Sequence, residues 1–184
     1  MPVQSEQQHP TILLARHFHK IEFAGVLANY DKEPKARNMT HDDPGSAVRV
    51  RVLIADDNEA LRYAVGRMLA TDPSMEVCGE AENGREALSR SLDLKPDVVL
   101  MDIAMPEMNG LEVTRSLRRL APTVEVLVFT QHESTYAMQA ALDAGARGYL
   151  AKAHAASLVE AIRAVARHKT YSSLHRVVTR PTFA

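Results

Sequence analysis

Residues whose side chains can carry out chemistry stand at the ends of short apolar runs in this sequence. Asp56 and Asp57 follow the first run, Asp102 follows the third, Thr130 the fourth and Lys152 the fifth. In an open α/β sheet the carboxyl ends of the strands border one crevice, and ligands bind in that crevice. We therefore expect these five side chains to lie close together.

Three carboxylates that converge at one site need a cation. Two unit charges about 4 Å apart interact by about 4 kcal/mol at an effective dielectric constant of about 20. A site with oxygen ligands only favours Mg²⁺ or Mn²⁺ over zinc. Lys152 adds a positive charge, and the Thr130 hydroxyl can donate a hydrogen bond to an anion. A divalent ion, a lysine, a hydroxyl donor and a carboxylate nucleophile together indicate phosphoryl transfer through an aspartyl phosphate.

Each of these residues has an ordinary structural interpretation when it is considered alone. A pair such as Asp56 and Asp57 at a strand end is more often a turn or a helix cap. The chemical interpretation depends on all of them falling at equivalent ends of successive strands.

Five apolar runs alternate with segments of helical spacing, which predicts a parallel sheet covered by helices on both faces. The helical segments show apolar residues three or four positions apart, with Asn58 as a predicted N-cap and Gly145 as a predicted left-handed helix stop. The predicted strands are residues 50–55, 75–79, 97–101, 124–129 and 148–151. The apolar stripes are Leu61, Val65, Met68 and Leu69; Val113, Leu117 and Leu120; and Leu158, Ile162 and Val165.

Composition excludes several classes of protein. The 184 residues carry a formal net charge of -1, which gives no electrostatic reason to bind nucleic acid or an anionic membrane. A single cysteine excludes an intramolecular disulfide framework. No apolar run approaches the roughly 20 residues that span a bilayer. We expect a cytoplasmic protein that neither enters a membrane nor binds DNA through this chain itself.

The chain divides into three predicted parts. Residues 1–48 are polar, lack a sustained period and are predicted to be a disordered or partly helical extension, with 12–30 as the helical candidate. Residues 49–169 form the predicted domain, and 170–184 form a tail or a truncated linker. Met39 lies just before the first strong strand, so we hypothesise that it is the real start of the protein or that residues 1–48 are a dispensable leader.

The segment around Asp102 resembles the response-regulator receiver domain. Residues 101–111 read MDIAMPEMNGL, which matches an aspartate at the end of the third strand followed by Met-Pro-x-Met-(Asp/Asn)-Gly. The likeness covers residues 50–167 and includes LIADDNE at 53–59, FT at 129–130 and YLAK at 149–152. The phrases VCGEAENGREAL at 77–88 and AGARGYL at 144–150 resemble the NarL/FixJ-type subfamily in particular.

This resemblance implies a flavodoxin-like (βα)5 fold, with a doubly wound parallel sheet of strand order 2-1-3-4-5 in three α/β/α layers. It also implies that Asp102 is the phosphoacceptor. Asp57, Asp102 and the backbone carbonyl of Ala104 would ligate Mg²⁺ or Mn²⁺, while Asp56 would act mainly through a coordinated water.

The resemblance assigns the remaining site residues to phosphate contact and switching. Lys152 would contact a phosphoryl oxygen, and Thr130 would swing towards the phosphoryl group. Tyr149 matches the aromatic residue whose rotamer reports that movement, although a half-buried packing role is its ordinary alternative. The resulting switch surface would be formed by the fourth helix, the fifth strand and the fifth helix.

The implied function is a receiver in a two-component phosphorelay, which is not an enzyme beyond slow reactions of its own phosphate. It would take its phosphoryl group from a histidine kinase or a phosphotransfer protein and could dimerise when phosphorylated. One alternative is a NarL/FixJ-type transcriptional regulator that lacks its DNA-binding domain. Another is an aspartyl-phosphate phosphatase, which the missing Asp-x-Asp pattern on the first strand disfavours.

Overall fold

A computed structural model describes residues 49–174, which form a six-stranded parallel sheet with helices packed on both faces. The predicted extension at 1–48, the helical candidate within it and the alternative start at Met39 lie outside the described residues. Within 49–174, no helix combines the length and the apolar character needed to cross a membrane.

The strand order confirms the predicted flavodoxin-like sheet. It runs β2-β1-β3-β4-β5-β6, and every neighbouring pair is parallel. A short 3-10 helix at Lys152–Ser157 leads into the last α-helix. The strands are β1 (Val50–Ala55), β2 (Met75–Ala81), β3 (Val98–Met101), β4 (Glu125–Thr130), β5 (Gly148–Ala151) and β6 (Tyr171–Ser172), and the helices are α1 (Glu59–Leu69), α2 (Gly84–Leu94), α3 (Gly110–Leu120), α4 (Thr135–Ala144) and α5 (Leu158–Ala166).

The core lies against the central strands, and every residue of β3, β4 and β5 is buried. Such runs are apolar at nearly every position because helices cover the sheet on both sides. Helices α2, α3 and α4 contribute to a single apolar cluster on one face, while α1 and α5 contact the strands from the other. The three predicted apolar stripes are buried with one exception. Leu120, the last residue of α3, is 61% exposed.

Two predicted helix ends are present. The Asn58 side chain accepts a hydrogen bond from the Leu61 amide and caps α1. Gly145 ends α4 with a φ of 104°, a left-handed conformation that costs glycine little because it has no Cβ. Asn58 fixes where the chain enters α1, and Gly145 fixes where it leaves α4.

The sixth strand differs from the prediction, which placed residues from 170 onwards in a tail. Tyr171 and Ser172 pair in parallel with Gly148 and Tyr149 of β5. The Ser173 amide donates to the Tyr149 carbonyl at 3.0 Å, and the Ala151 amide donates to the Ser173 hydroxyl at 3.0 Å. A two-residue strand has no periodic signal in the sequence, so only the backbone pairing identifies it.

Gly110 permits a close approach between α3 and the end of β3. A Cβ atom added at this position would lie 2.0 Å from the backbone oxygen of Asp102. The first turn of α3 therefore packs directly against the peptide that carries Asp102. Gly66, in the middle of α1, has no such neighbour, because an added Cβ would meet nothing within 4 Å.

These two glycines form a matched pair for a stability test. We expect Gly110→Ala to lower the free energy of unfolding by about 1–3 kcal/mol, because the methyl group overlaps the Asp102 carbonyl. Gly66→Ala should raise it by up to about 1 kcal/mol, because alanine favours the helix. Urea unfolding followed by circular dichroism measures both, and equal stabilities for the two variants would contradict the close approach.

Candidate functional site

Strand register brings the predicted site residues to one end of the sheet. Ala55 of β1 pairs with Met101 of β3, so the residues that follow them, Asp56 and Asp102, are neighbours. The Asp102 amide donates to the Ala55 carbonyl at 2.8 Å, which fixes this alignment. Thr130 of β4 pairs with Ala151 of β5, so Lys152 emerges at the same end of the sheet.

Lys152 lies between the two carboxylates. Its Nζ is 2.6 Å from Oδ2 of Asp56 and 2.9 Å from Oδ1 of Asp102. All three residues are at most 5% exposed. The Lys152 ammonium also lies 5.9 Å from the centroid of the Phe129 ring, within the range of a cation–π contact. We call Asp56, Asp102 and Lys152 the carboxylate–lysine triad.

The other carboxylate oxygens of the triad accept backbone hydrogen bonds. The Asn58 amide donates to Oδ1 of Asp56 at 2.9 Å, and the Ala104 amide donates to Oδ2 of Asp102 at 2.7 Å. Each carboxylate is thus held at both oxygens, which fixes its direction.

Burial raises the pKa of Asp56 because it removes water from the charged form. The charge and hydrogen bond of Lys152 and the Asn58 amide oppose this rise, while the charge of Asp102 adds to it. These contacts do not cancel the rise. The Lys152 ammonium therefore only partly compensates the burial of Asp56.

Thr130 ends β4 and Tyr149 lies in β5, the strand that leads to Lys152, and both residues contact the loop after β4. Thr130 is buried at the end of its strand, and its Oγ1 is 3.4 Å from the His132 amide nitrogen. Tyr149 is fully buried, and its hydroxyl donates to the His132 carbonyl. Both predicted switch residues therefore contact the backbone of the same residue.

Asp57 and Ala104 are exposed and do not belong to the triad. Within residues 49–174, no group of three or more histidine, cysteine, aspartate or glutamate side chains is close enough to hold a metal ion. In this arrangement the Lys152 ammonium pairs with Asp56 and Asp102, and the side chain of Asp57 is turned to solvent. The ligand roles predicted for Asp57 and the Ala104 carbonyl stay predictions.

The chemistry of the donors nevertheless fits a divalent cation. Two buried carboxylates share one ammonium, so the triad carries a formal net charge of -1 when both acids are ionised. Asp57 adds a further carboxylate in the chain directly after Asp56. Carboxylate and carbonyl oxygens are the ligands that Mg²⁺ and Mn²⁺ prefer.

Arg62 is a residue at this site that the sequence did not reveal. Its Nη1 donates to the backbone carbonyl of Asp56 at 2.8 Å, and its Nε donates to Oε2 of Glu80 at 3.0 Å. Arg62 lies beside the apolar stripe of α1, where a basic residue ordinarily faces solvent. Its position six residues after Asp56 suggested no contact, because the contact depends on how α1 packs.

A family model described as the response regulator receiver domain matches residues 52–163, which is more than half of the chain. This chain belongs to the response regulator receiver domain family. Receiver domains generally bind Mg²⁺ at their acidic pocket and are phosphorylated on an aspartate. They interact with histidine kinases or phosphotransfer proteins.

Several curated proteins resemble this receiver domain. The response regulator GacA of Pseudomonas viridiflava is 43% identical over 125 residues, which cover 67% of this chain and 58% of GacA. The transcriptional regulatory protein DegU of Brevibacillus brevis is 39% identical over 132 residues, which cover 71% of this chain and 55% of DegU. This chain thus spans somewhat more than half the length of the curated relatives it matches.

Solved structures show the same receiver fold. A LuxR-family two-component response regulator from Aurantimonas sp. SI85-9A1 matches with a TM-score of 0.65 and 31% identity, over 67% of this chain and 89% of that one. The signal receiver domain of NarL from Mycobacterium tuberculosis matches with a TM-score of 0.59 and 31% identity, over 64% of this chain and 98% of that one. These relatives confirm the resemblance to NarL-type receivers that the sequence indicated.

Replacing Lys152 tests the electrostatics of the triad. In metal-free buffer we expect Lys152→Met to lower the free energy of unfolding by about 3 kcal/mol at neutral pH, because two buried carboxylates lose their shared cation. Loss of the ammonium raises the already elevated pKa of Asp56 further. An acid with a raised folded-state pKa loses stability as pH rises, so the deficit should shrink on acidification.

Urea unfolding with a chelator present, repeated from neutral to acidic pH, measures this deficit. The exposed Lys169→Met serves as the control and should change stability by less than about 0.5 kcal/mol. A deficit in Lys152→Met that stays constant or grows on acidification would contradict the compensating role of Lys152.

Proposed function

We propose that Asp102 is the phosphoacceptor of this receiver domain and that Lys152, Thr130 and Tyr149 respond to its modification. The observation that supports this most directly is the Lys152 ammonium at 2.9 Å from Asp102 Oδ1, at the buried end of three aligned strands. The donor is a phosphohistidine on a histidine kinase or a phosphotransfer protein.

The residues of the triad suit an attack by Asp102 on phosphorus. One carboxylate oxygen forms the new P–O bond while the P–N bond to the donor histidine breaks and its electron pair returns to the imidazole. The Ala104 amide and Lys152 hold the carboxylate in a fixed direction before the reaction. Lys152 then provides a positive charge for the oxygens of the transferred group.

Asp56, Asp57, Asp102 and the Ala104 carbonyl are the residues that would hold Mg²⁺ or Mn²⁺. When bound, the ion supplies positive charge that stabilises the phosphoryl oxygens during transfer. Asp56 and Asp102 contribute buried oxygen donors held at fixed directions. Asp57 contributes an exposed carboxylate at the mouth of the site.

Modification of Asp102 would reach the α4-β5-α5 surface through Thr130 and Tyr149. A phosphoryl group adds negative charge and strong hydrogen-bond acceptors next to Lys152. Thr130 carries a buried hydroxyl at the end of the neighbouring strand, and Tyr149 is bonded to the His132 carbonyl in the loop that leads to α4. A movement of Thr130 would therefore change the backbone that Tyr149 holds.

Transcription is the output that the relatives support, because DegU is a transcriptional regulatory protein and two matched structures come from LuxR- and NarL-type regulators.

Dimerisation on phosphorylation and a cytoplasmic location stay predictions of the sequence. Sedimentation of the protein with and without beryllofluoride measures the first of these directly.

Phosphoryl capture is tested with acetyl phosphate as the donor in the presence of Mg²⁺. We expect intact mass spectrometry to show one added phosphoryl group on the wild-type protein and none on Asp102→Asn, because the amide is not a nucleophile. Asp143→Asn replaces an exposed aspartate on α4 and is the matched control, which should be modified like the wild type. A phosphoryl group that persists on Asp102→Asn would overturn the assignment.

A further inference from the structure

Arg62 connects the end of β1 to the neighbouring strand β2 across the first turn of α1. Its side chain is only 12% exposed, although arginine is ordinarily a surface residue. One arm of the guanidinium donates to the Asp56 carbonyl, and Nε donates to the carboxylate of Glu80. The planar guanidinium holds both donors in a fixed relation, so Arg62 fixes the carbonyl relative to β2.

The carbonyl that Arg62 holds belongs to the peptide between Asp56 and Asp57. A peptide unit is planar, so fixing its oxygen also fixes the nitrogen of Asp57 and the direction in which that residue leaves the strand. The other polar atoms of Asp56 have separate partners. Its amide donates to Ala81, and its carboxylate accepts from Asn58 and Lys152. Arg62 thus supplies the contact that fixes the backbone direction from Asp56 to Asp57.

We propose that Arg62 is a positioning residue for the cation site, which holds the Asp56–Asp57 peptide in the orientation that Mg²⁺ binding requires. This inference rests on the proposed function, since it takes Asp56 and Asp57 as residues of the cation site. Arg62 does not contact the cation or the phosphoryl group in this role. It acts through the backbone of the two acids.

The charge of Arg62 alone would have the opposite effect. A guanidinium near a divalent cation repels it, so removing the charge should tighten Mg²⁺ binding if the electrostatic field were the only contribution. Loss of the positioning contact should weaken binding. The sign of the change therefore separates the two roles.

The test measures Mg²⁺ affinity by following the Asp57 and Asn58 amides of ¹⁵N-labelled protein during a titration with MgCl₂. We expect Arg62→Met to bind Mg²⁺ about tenfold more weakly, the usual scale for losing a group that orients a metal ligand. Arg67→Met removes an exposed arginine from the last turn of the same helix and should leave the affinity unchanged. Affinity equal to or tighter than that of the wild type in Arg62→Met would overturn the proposal.

Two further variants serve if Arg62→Met does not fold. Arg62→Lys keeps the positive charge but lacks the planar guanidinium with its two donors in a fixed relation. This variant should therefore also bind Mg²⁺ more weakly. Glu80→Gln keeps Arg62 and removes its ion-pair partner, so it should show a smaller loss. Full wild-type affinity in Arg62→Lys would contradict the requirement for the guanidinium geometry.

A readout without metal separates this inference from the proposed function. In the presence of a chelator, hydrogen exchange of the Asp57 and Asn58 amides should be faster in Arg62→Met, while exchange in β4 stays unchanged. If the wild-type protein bound no Mg²⁺, the proposed cation site would fail, but the exchange comparison would still decide whether Arg62 holds this peptide. Unchanged exchange at both amides would overturn the positioning role.

Discussion

One ammonium between two buried carboxylates is the interaction on which this site depends. Burial raises the pKa of Asp56 because it penalises the charged form of the carboxyl. Lys152 contacts both carboxylates, yet the pKa of Asp56 remains raised. The folded protein therefore retains an electrostatic cost at the same place where receiver domains generally bind a divalent cation. Such a cost is typical of sites whose geometry serves chemistry rather than stability.

The parallel sheet makes this interaction possible because it aligns residues that are far apart in the chain. Asp56 and Lys152 are separated by 96 positions, but each directly follows a strand. In-register pairing of β1 with β3 and of β4 with β5 converts these separate sequence positions into neighbours. Gly110 has a supporting role, since it lets α3 approach the backbone of Asp102 closely. Fold and site are thus specified by the same backbone contacts.

The sequence predicts the sheet order and the group of residues at its end because both follow from local patterns. Apolar runs identify strands, and a polar residue directly after such a run has its place fixed by the strand. Arg62 could not be found in this way, because its contact with Asp56 depends on the packing of α1 against β2. Spacing alone places Leu120 in the core, but this residue is the last of its helix and faces solvent. Strand β6 cannot be predicted in this way, because two residues carry no periodic signal.

Strand β6 also has a consequence for edge-to-edge aggregation of the sheet. The outer strands of a sheet expose unpaired backbone groups, which can template association with a further chain. On one side, β6 covers β5 and is itself only two residues long. On the other side, the outermost strand β2 exposes Glu76 and Glu80, and a register shift interrupts its pairing with β1. Within residues 49–174, short length, charge and irregular pairing make both edge strands poor templates for aggregation.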